Sequence, residues 1–331
     1  ADPLRVAIER IMARAFEGER PEALARTRAM VVAVHGQLIA ERYSEGITAD
    51  TRLQSWSMAK SVLHAALGLA IADGKLDPDA PAPVPEWQGA GDPRRAITLR
   101  QLAEMRDGLA FREHYGDTSS EVMQMLFGAG RGDVGGAAAQ TKLGYAPGTV
   151  WNYSSGSANI LARILRDALG GRDAYSAFLR ERLFAPLGMT SAVAEFDASG
   201  TWIASSYVHA TARDYAKFGL LYLNRGLWEM RQLLPRDWVA GASQATDHPS
   251  HGRYGTLFWL NAKDPKTGHS ALSDKLPSDL FFARGFGGQI IIVLPSHDAV
   301  IVMLNASYGE DAAPILDLIV DILAAIKPPA G

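Results

Sequence analysis

The sequence predicts an α+β fold, an α/β sandwich in which a mainly antiparallel sheet of N- and C-terminal strands, flanked by terminal helices, joins a mostly helical second lobe. Three observations carry this. Two short β-like runs lie near the N-terminus, Met30 to Val34 and Leu38 to Tyr43, joined by the turn His35-Gly36-Gln37. Four strand-like runs lie in the C-terminal part, Phe258 to Leu260, Leu280 to Ala283, Gln289 to Leu294 and Ala299 to Leu304, with Ser296-His297-Asp298 as a tight turn between the last two. Between these groups the apolar residues recur mostly at helical spacing.

In chain order, Leu4, Ile8, Ile11, Met12 and Phe16 share one face behind the start signals Asp2 and Pro3, which predicts an amphipathic helix. The N-terminal hairpin follows. Next, Val62, Leu63, Ala66, Leu69 and Ala70 predict a helix beginning at or near Ser57, and Ala72-Asp73-Gly74-Lys75 stops it. Asp77 to Pro85 is rich in proline and aspartate and reads as loop. Helical patterns then occupy Leu99 to Met105, Glu121 to Phe127, Ala158 to Leu169, Ala174 to Leu183 and Arg213 to Leu223, interrupted by a small-residue stretch from Gly128 to Ala139. Ala313 to Ile326 closes the chain as an amphipathic helix. The expected division is a discontinuous α/β domain of residues 1–56 plus 250–331, and a mostly helical domain of residues 57–249, with the ligand cleft at their seam.

With 331 residues and ordinary apolar and charged fractions, the chain buries one large core or two modest ones. A formal charge of -3 without a basic stripe excludes a phosphate backbone as an expected partner. The absence of cysteine removes disulfides, thiolate nucleophiles and Cys-based metal sites. No apolar run approaches the length that spans a bilayer. The chain begins Ala-Asp-Pro, without a signal-peptide pattern, which leaves an exported precursor, a removed anchor and a trimmed end equally open. Compartment and oligomeric state are not legible.

The chemistry concentrates in Gln54-Ser55-Trp56-Ser57-Met58-Ala59-Lys60-Ser61-Val62, a small-residue turn running into an apolar helix. Ser57 and Lys60 are three apart and so share a helix face. A serine hydroxyl is a poor nucleophile until a base takes its proton, and a partly desolvated lysine has a lowered pKa. The bland alternative is a capping serine before a solvated lysine. Tyr153 lies just before a predicted helix, where a phenol beside a cationic lysine is expected to titrate low enough to shuttle the proton. Its bland alternative is a half-buried aromatic bonded to backbone.

Four segments in order decide between these readings. Ser57-Met58-Ala59-Lys60, then Pro147-Gly148-Thr149 leading to Tyr153-Ser154-Ser155, then Leu183-Phe184-Ala185-Pro186-Leu187-Gly188-Met189, and finally Gly285-Phe286-Gly287-Gly288-Gln289 resemble serine β-lactamase-like hydrolases. The branch is that of class C β-lactamases, family VIII carboxylesterases and 6-aminohexanoate-dimer hydrolases. The resemblance implies a β-lactamase/penicillin-binding-protein-like fold, Ser57 as the acylated nucleophile, and Lys60 and Tyr153 as the proton-handling pair. It also implies a substrate-facing role for Ser155 and an acyl pocket bordered by Gly285, Phe286 and Gly287. The expected oxyanion donors are the Ser57 N–H and one near Phe286.

Two departures bear on the substrate. Ser155 replaces the asparagine of the family's Tyr-x-Asn, which weakens the case for β-lactam turnover. Lys266-Thr267-Gly268 matches the family's third motif literally but sits in a polar loop, whereas the chemistry needs an edge strand; Leu280 to Ala283 supplies that strand. The expected activity is hydrolysis of a small-molecule ester or small amide through an acyl-enzyme, as in a carboxylesterase or a 6-aminohexanoate-dimer-hydrolase-like amidase. The alternatives are a β-lactamase or a D-amino-acid or DD-peptidase and, from another class, a non-catalytic binding or scaffold protein. No cofactor and no metal is expected. Gly130 to Gly135 fits Gly-x-Gly-x-x-Gly but follows a helical pattern, against a dinucleotide site. His248 and His251, with Pro249 between them, lack the helical presentation of a zinc pair. No Gly-x-Ser-x-Gly elbow occurs. Of Trp151, Trp202, Tyr207, Trp228, Trp238 and Trp259, most are expected in the core, with one or two walling the cleft.

Overall fold

A computed structural model describes residues 2–245, 250–307 and 311–326. In chain order the elements that position the site are α1 (Pro3–Ala13), β1 (Thr27–Val34), β2 (Gln37–Tyr43), β3 (Leu53–Gln54), α2 (Ala59–Ala72), α3 (Leu99–Ala103), α4 (Glu121–Leu126), α5 (Val134–Ala139), α6 (Ser155–Leu169), α7 (Arg172–Phe178), β4 (Val193–Ala194), β5 (Val208–Ala210), α8 (Ala212–Leu223), β6 (Leu227–Trp228), β7 (Arg231–Gln232), α9 (Arg236–Ser243), β8 (Trp259–Leu260), β9 (Phe281–Gly285), β10 (Gln289–Leu294), β11 (Ala299–Asn305) and α10 (Ala313–Ala325).

The main sheet has the order β2-β1-β11-β10-β9-β8 with every neighbour antiparallel. The N-terminal hairpin therefore joins the C-terminal strands through β1 and β11, which pair from Thr27 opposite Asn305 to Val34 opposite Ala299 with a register shift between Thr27 and Ala29. β10 and β11 are buried along their whole length. Both faces of the sheet are covered, which is why these strands read as continuous apolar runs rather than alternating ones. The outer face packs Met30, Val32, Ile292 and Ile301 against Ile8 and Met12 of α1 and Leu318, Ile319 and Ile322 of α10. The inner face packs Val31, Ile291 and Val302 into a second core with α2, α8 and the central helices. α8 lies directly on the sheet because Gly219 has no side chain there: a Cβ would stand 2.5 Å from Val300 Cγ1.

Helix starts follow the sequence signals. Asp2 Oδ1 accepts the Leu4 N–H at 3.0 Å with Pro3 in the first turn of α1, and the Ser154 hydroxyl accepts the Ser157 N–H at 3.0 Å to start α6. The elements missing from the sequence reading are the small β3-β5-β4 sheet, the β6-β7 pair, α5 and α9. Strands of two or three residues contain no full period, and the small residues of α5, Val134 to Ala139, give no apolar stripe. Among the described residues no helix is long and apolar enough to cross a membrane.

Candidate active site

Ser57 sits in a single 3-10 turn, Trp56–Met58, that leads into α2. The residue before it is strained: Trp56 has φ +46°, a left-handed conformation that a bulky side chain adopts only when its surroundings impose it. They do so from two sides. The Ser55 N–H donates to the Val208 carbonyl at 2.8 Å, and the Ser55 hydroxyl oxygen accepts the Val208 N–H at 3.0 Å, fastening the turn to β5. The Trp56 ring meets Phe286 edge-on at 5.6 Å between centroids and lies 6.1 Å from Tyr207. The turn thus presents the Ser57 side chain, half-buried, to the cleft.

Lys60, one turn further on, is 1 % exposed. Its Nζ lies 2.9 Å from Ser57 Oγ, 3.0 Å from Ser155 Oγ and 2.9 Å from the Ser205 carbonyl. Burial lowers its pKa from 10.5 to about 8, with the Glu113 charge opposing the shift. The three partners also fix the polarity of the amine. The Ser205 carbonyl only accepts. The Ser155 hydroxyl is committed as a donor to Glu113 Oε1 at 2.5 Å, so its oxygen also accepts from Lys60. A neutral Lys60 spends its two N–H groups on these acceptors and turns its lone pair to the third position, the Ser57 hydroxyl. That is the arrangement a general base requires.

Glu113 is the functional residue that the sequence reading missed. Besides the Ser155 hydroxyl it accepts the Ser155 N–H at 2.8 Å and the Tyr115 hydroxyl at 3.1 Å. It lies in an irregular segment tied to the start of α6 by Asn152, whose Nδ2 donates to the Phe111 carbonyl at 3.0 Å. A glutamate in a polar loop carries no period and no motif, so no local signal marks it. Asn159, inside α6, was missed because its contact is with a segment remote in sequence; its amide oxygen accepts the Ser205 N–H at 3.1 Å and its Nδ2 donates to Ser205 Oγ at 3.1 Å, which places the carbonyl that Lys60 uses.

Two expectations need correction. Ser155 was expected on the substrate side, but it is fully buried and its short hydroxyl bridges Lys60 and Glu113 behind the nucleophile. Tyr153 was expected to titrate low. Its ring does stand over Lys60, with Nζ 4.9 Å from the centroid, yet its pKa is raised, first by burial and then by the Glu113 charge, while a hydrogen bond with Ser57 and the Arg284 charge pull weakly the other way. Burial penalises the phenolate, and the nearby Glu113 carboxylate repels it. Tyr153 remains a phenol.

Across Ser57 lies the turn between β9 and β10, with Gly285 paired to Gln289 and Gly287 and Gly288 at φ +75° and +87°. Gln289 braces it by donating from Nε2 to the Phe286 carbonyl at 3.1 Å, and its Oε1 accepts the Asn305 N–H at 3.1 Å. Gly285 is where β9 touches the Ser57 turn: a Cβ there would stand 2.2 Å from the Ser55 carbonyl oxygen and 3.0 Å from Trp56 Cβ. Gly285→Ala is therefore expected to push the two turns apart and lower kcat/KM by about 100-fold, the scale of a displacement of about 1 Å at a reacting centre. Steady-state ester kinetics on the folded variant measures this.

A cleft of about 430 Å³ opens on Ser57, Glu113, Tyr115, Tyr153, Arg284 and the Gly285–Gly288 turn. Trp259 lines it, while Trp202 and Trp238 are buried in the core. Phe286 is 47 % exposed at its mouth and stacks on Tyr115 at 5.8 Å. Lys266-Thr267-Gly268 forms an exposed turn closed by the Lys263–Ser270 bridge and does not line the cleft. Gly130 to Gly135 runs from a short turn after α4 into the first residues of α5, with a helix rather than a strand before it. His251 pairs with Asp264 at 3.3 Å, and His248 is outside the described residues. Among the described residues no group of three or more histidine, aspartate or glutamate side chains is arranged to hold a metal.

Comparison with known proteins bears on the family and the fold. The sequence model of the family described as Beta-lactamase matches residues 12–324. A 6-aminohexanoate-dimer hydrolase from Paenarthrobacter ureafaciens is 28% identical over 302 residues, covering 85% of this chain and 72% of that protein. Two solved structures share the fold: a family VIII carboxylesterase, at TM-score 0.72 and 14% identity, and a penicillin-binding protein homologue from Caulobacter crescentus, at TM-score 0.71 and 16% identity, each covering 98% of both chains.

Proposed function

The chain belongs to the beta-lactamase family, and on that premise we propose that it hydrolyses an ester or small amide through an acyl-enzyme on Ser57, as a carboxylesterase or a 6-aminohexanoate-dimer-hydrolase-like amidase does. The observation that carries the reading is the buried Lys60 amine, 2.9 Å from Ser57 Oγ with its other two positions taken by acceptors. Neutral Lys60 takes the Ser57 proton as Oγ attacks the carbonyl carbon. The Ser57 N–H and a donor on the Gly285–Gly287 turn hold the oxyanion. Tyr153, kept protonated by its surroundings, gives its proton to the leaving oxygen or nitrogen as that bond breaks, and recovers one from Lys60. Water then releases the acyl group by the reverse transfers. With Ser155 turned toward Lys60, no side chain at that position faces a β-lactam, which supports the ester or amide reading over the β-lactamase alternative.

Labelling with a fluorophosphonate and mass spectrometry of the digested protein tests the acyl-enzyme. An adduct on the Ser57 peptide is expected, and its absence favours the non-catalytic binding protein. The base assignment has its own test. Lys60 must be neutral to act, so kcat/KM is expected to rise with pH and level off above a midpoint near 8. Glu113 raises that pKa, so Glu113→Gln is expected to move the midpoint to lower pH. It should also cost about tenfold in plateau rate, because an amide cannot accept from both the Ser155 N–H and hydroxyl. A pH-rate profile with unchanged midpoint and height would remove Glu113 from the site.

A further inference from the structure

The cleft does not end at the catalytic turn. β8 pairs with β9 only at Phe281 and Phe282, so beyond Phe282 the β9 edge is open and the cleft passes round it to the outer face of the sheet. There it is walled by Leu272, Phe282, Ile290, Ile315 and Leu316, side chains of the outer core or packed against it. Strand alternation puts Arg284 on the same face as Phe282, directly across from Ile290.

Arg284 is the single cation among the described residues that line the cleft; Glu113 and Asp311 are the anions. Both anions are engaged, Glu113 with Ser155 and Tyr115, and Asp311 through Oδ1, which accepts the Ala313 N–H at the start of α10 at 2.9 Å. The exposed Arg284 guanidinium has no hydrogen bond or ion pair among the described residues. It stands two residues before Phe286, about 7 Å along the strand from the oxyanion turn.

The direction of the substrate follows from the proton path. The leaving atom receives its proton from Tyr153 and lies on that side of Ser57, so the acyl chain runs the other way, over the Gly285–Phe286 turn and into the apolar chamber. We propose that Arg284 is a specificity-determining residue that pairs with a carboxylate at the far end of the acyl chain, so that the preferred substrates are esters or amides of dicarboxylic acids with one acid free and an apolar spacer between. A guanidinium fork matches a carboxylate in two parallel hydrogen bonds, and the apolar walls take the methylenes. The inference rests on acyl transfer at Ser57 as proposed above.

The test compares two p-nitrophenyl esters of equal chain length, the hydrogen adipate and the hexanoate. Wild type is expected to favour the adipate in kcat/KM by about tenfold or more at low salt, the worth of a hydrogen bond to a charged group, and added salt should erode the preference. Arg284→Met is expected to erase the ratio, and Arg284→Lys to restore part of it. An equal loss on both esters in Arg284→Met would mean that the residue acts through Tyr153 or the fold, and would overturn the proposal. So would a wild type without preference that still forms the fluorophosphonate adduct on Ser57. Hydrolysis of neither ester together with no adduct would overturn the acyl-enzyme reading and this inference with it.

Discussion

Ser57→Ala is expected to lower the kcat for a short-chain p-nitrophenyl ester by about 10⁴-fold or more, the range seen when a serine nucleophile is removed. No neighbour replaces it. Of the hydroxyls nearest Lys60, Ser155 is fully buried and donates to Glu113 at 2.5 Å, and Tyr153 is held as a phenol by burial and the Glu113 charge. The turn should survive, because its backbone is fixed by Ser55 and Trp56 rather than by the Ser57 side chain. The measurement is ester hydrolysis alongside thermal unfolding, and a variant that is folded yet keeps more than a few per cent of the wild-type rate removes Ser57 as nucleophile. Lys266→Ala, in its exposed turn, is the control whose rate should match wild type.

Lys60→Met should separate activity from stability. The methionine fills nearly the same volume, leaves the Ser57 hydroxyl without a base, and is expected to cost about 10³-fold to 10⁴-fold in kcat/KM, toward the upper end for a positioned general base. Stability should move the other way. The folded pKa of Lys60 is depressed, from 10.5 to about 8, so the folded protein binds its proton less readily than the unfolded chain does. The penalty for burying the charge is present in full below pH 8 and fades as the pH rises from 8 toward 10.5. A buried methionine carries no such penalty, although the Ser155 and Ser205 acceptors lose a donor. Tm is therefore expected to hold or rise at neutral pH, with the advantage over wild type shrinking in alkaline buffer. A large fall in Tm would mean that the amine is a structural tie.

What the sequence showed and what it hid divide along a physical line. The two N-terminal strands, β9 to β11 and the helices containing Val62 to Ala70 and Ala158 to Leu169 were legible because each is long enough for its apolar pattern to declare a period, whereas the two-residue β8 was legible only by its apolar residues Phe258 to Leu260. That Ser57, Lys60 and Tyr153 come together was legible because spacing and order along the chain survive without coordinates. Glu113, Asn159 and the Ser205 carbonyl were not, since each acts through a contact between segments remote in sequence. The Ser155 role went astray for a related reason: residue type alone does not tell whether a hydroxyl at a helix start faces the cleft or the lysine behind it. The Tyr153 titration was misjudged because it depends on burial and on a carboxylate that no motif revealed.

The pairing of β1 with β11, Thr27 opposite Asn305, also bears on how the enzyme comes into being. Ser57 is synthesised before the central helices, and the turn that faces it, Gly285 to Gly288, only after them. Loop closure over the whole segment between them must precede this contact, which places it late and slow in folding. The nascent chain thus holds Ser57, Lys60 and Tyr153 long before it holds the other wall of their cleft, which is incomplete until β9 and β10 dock.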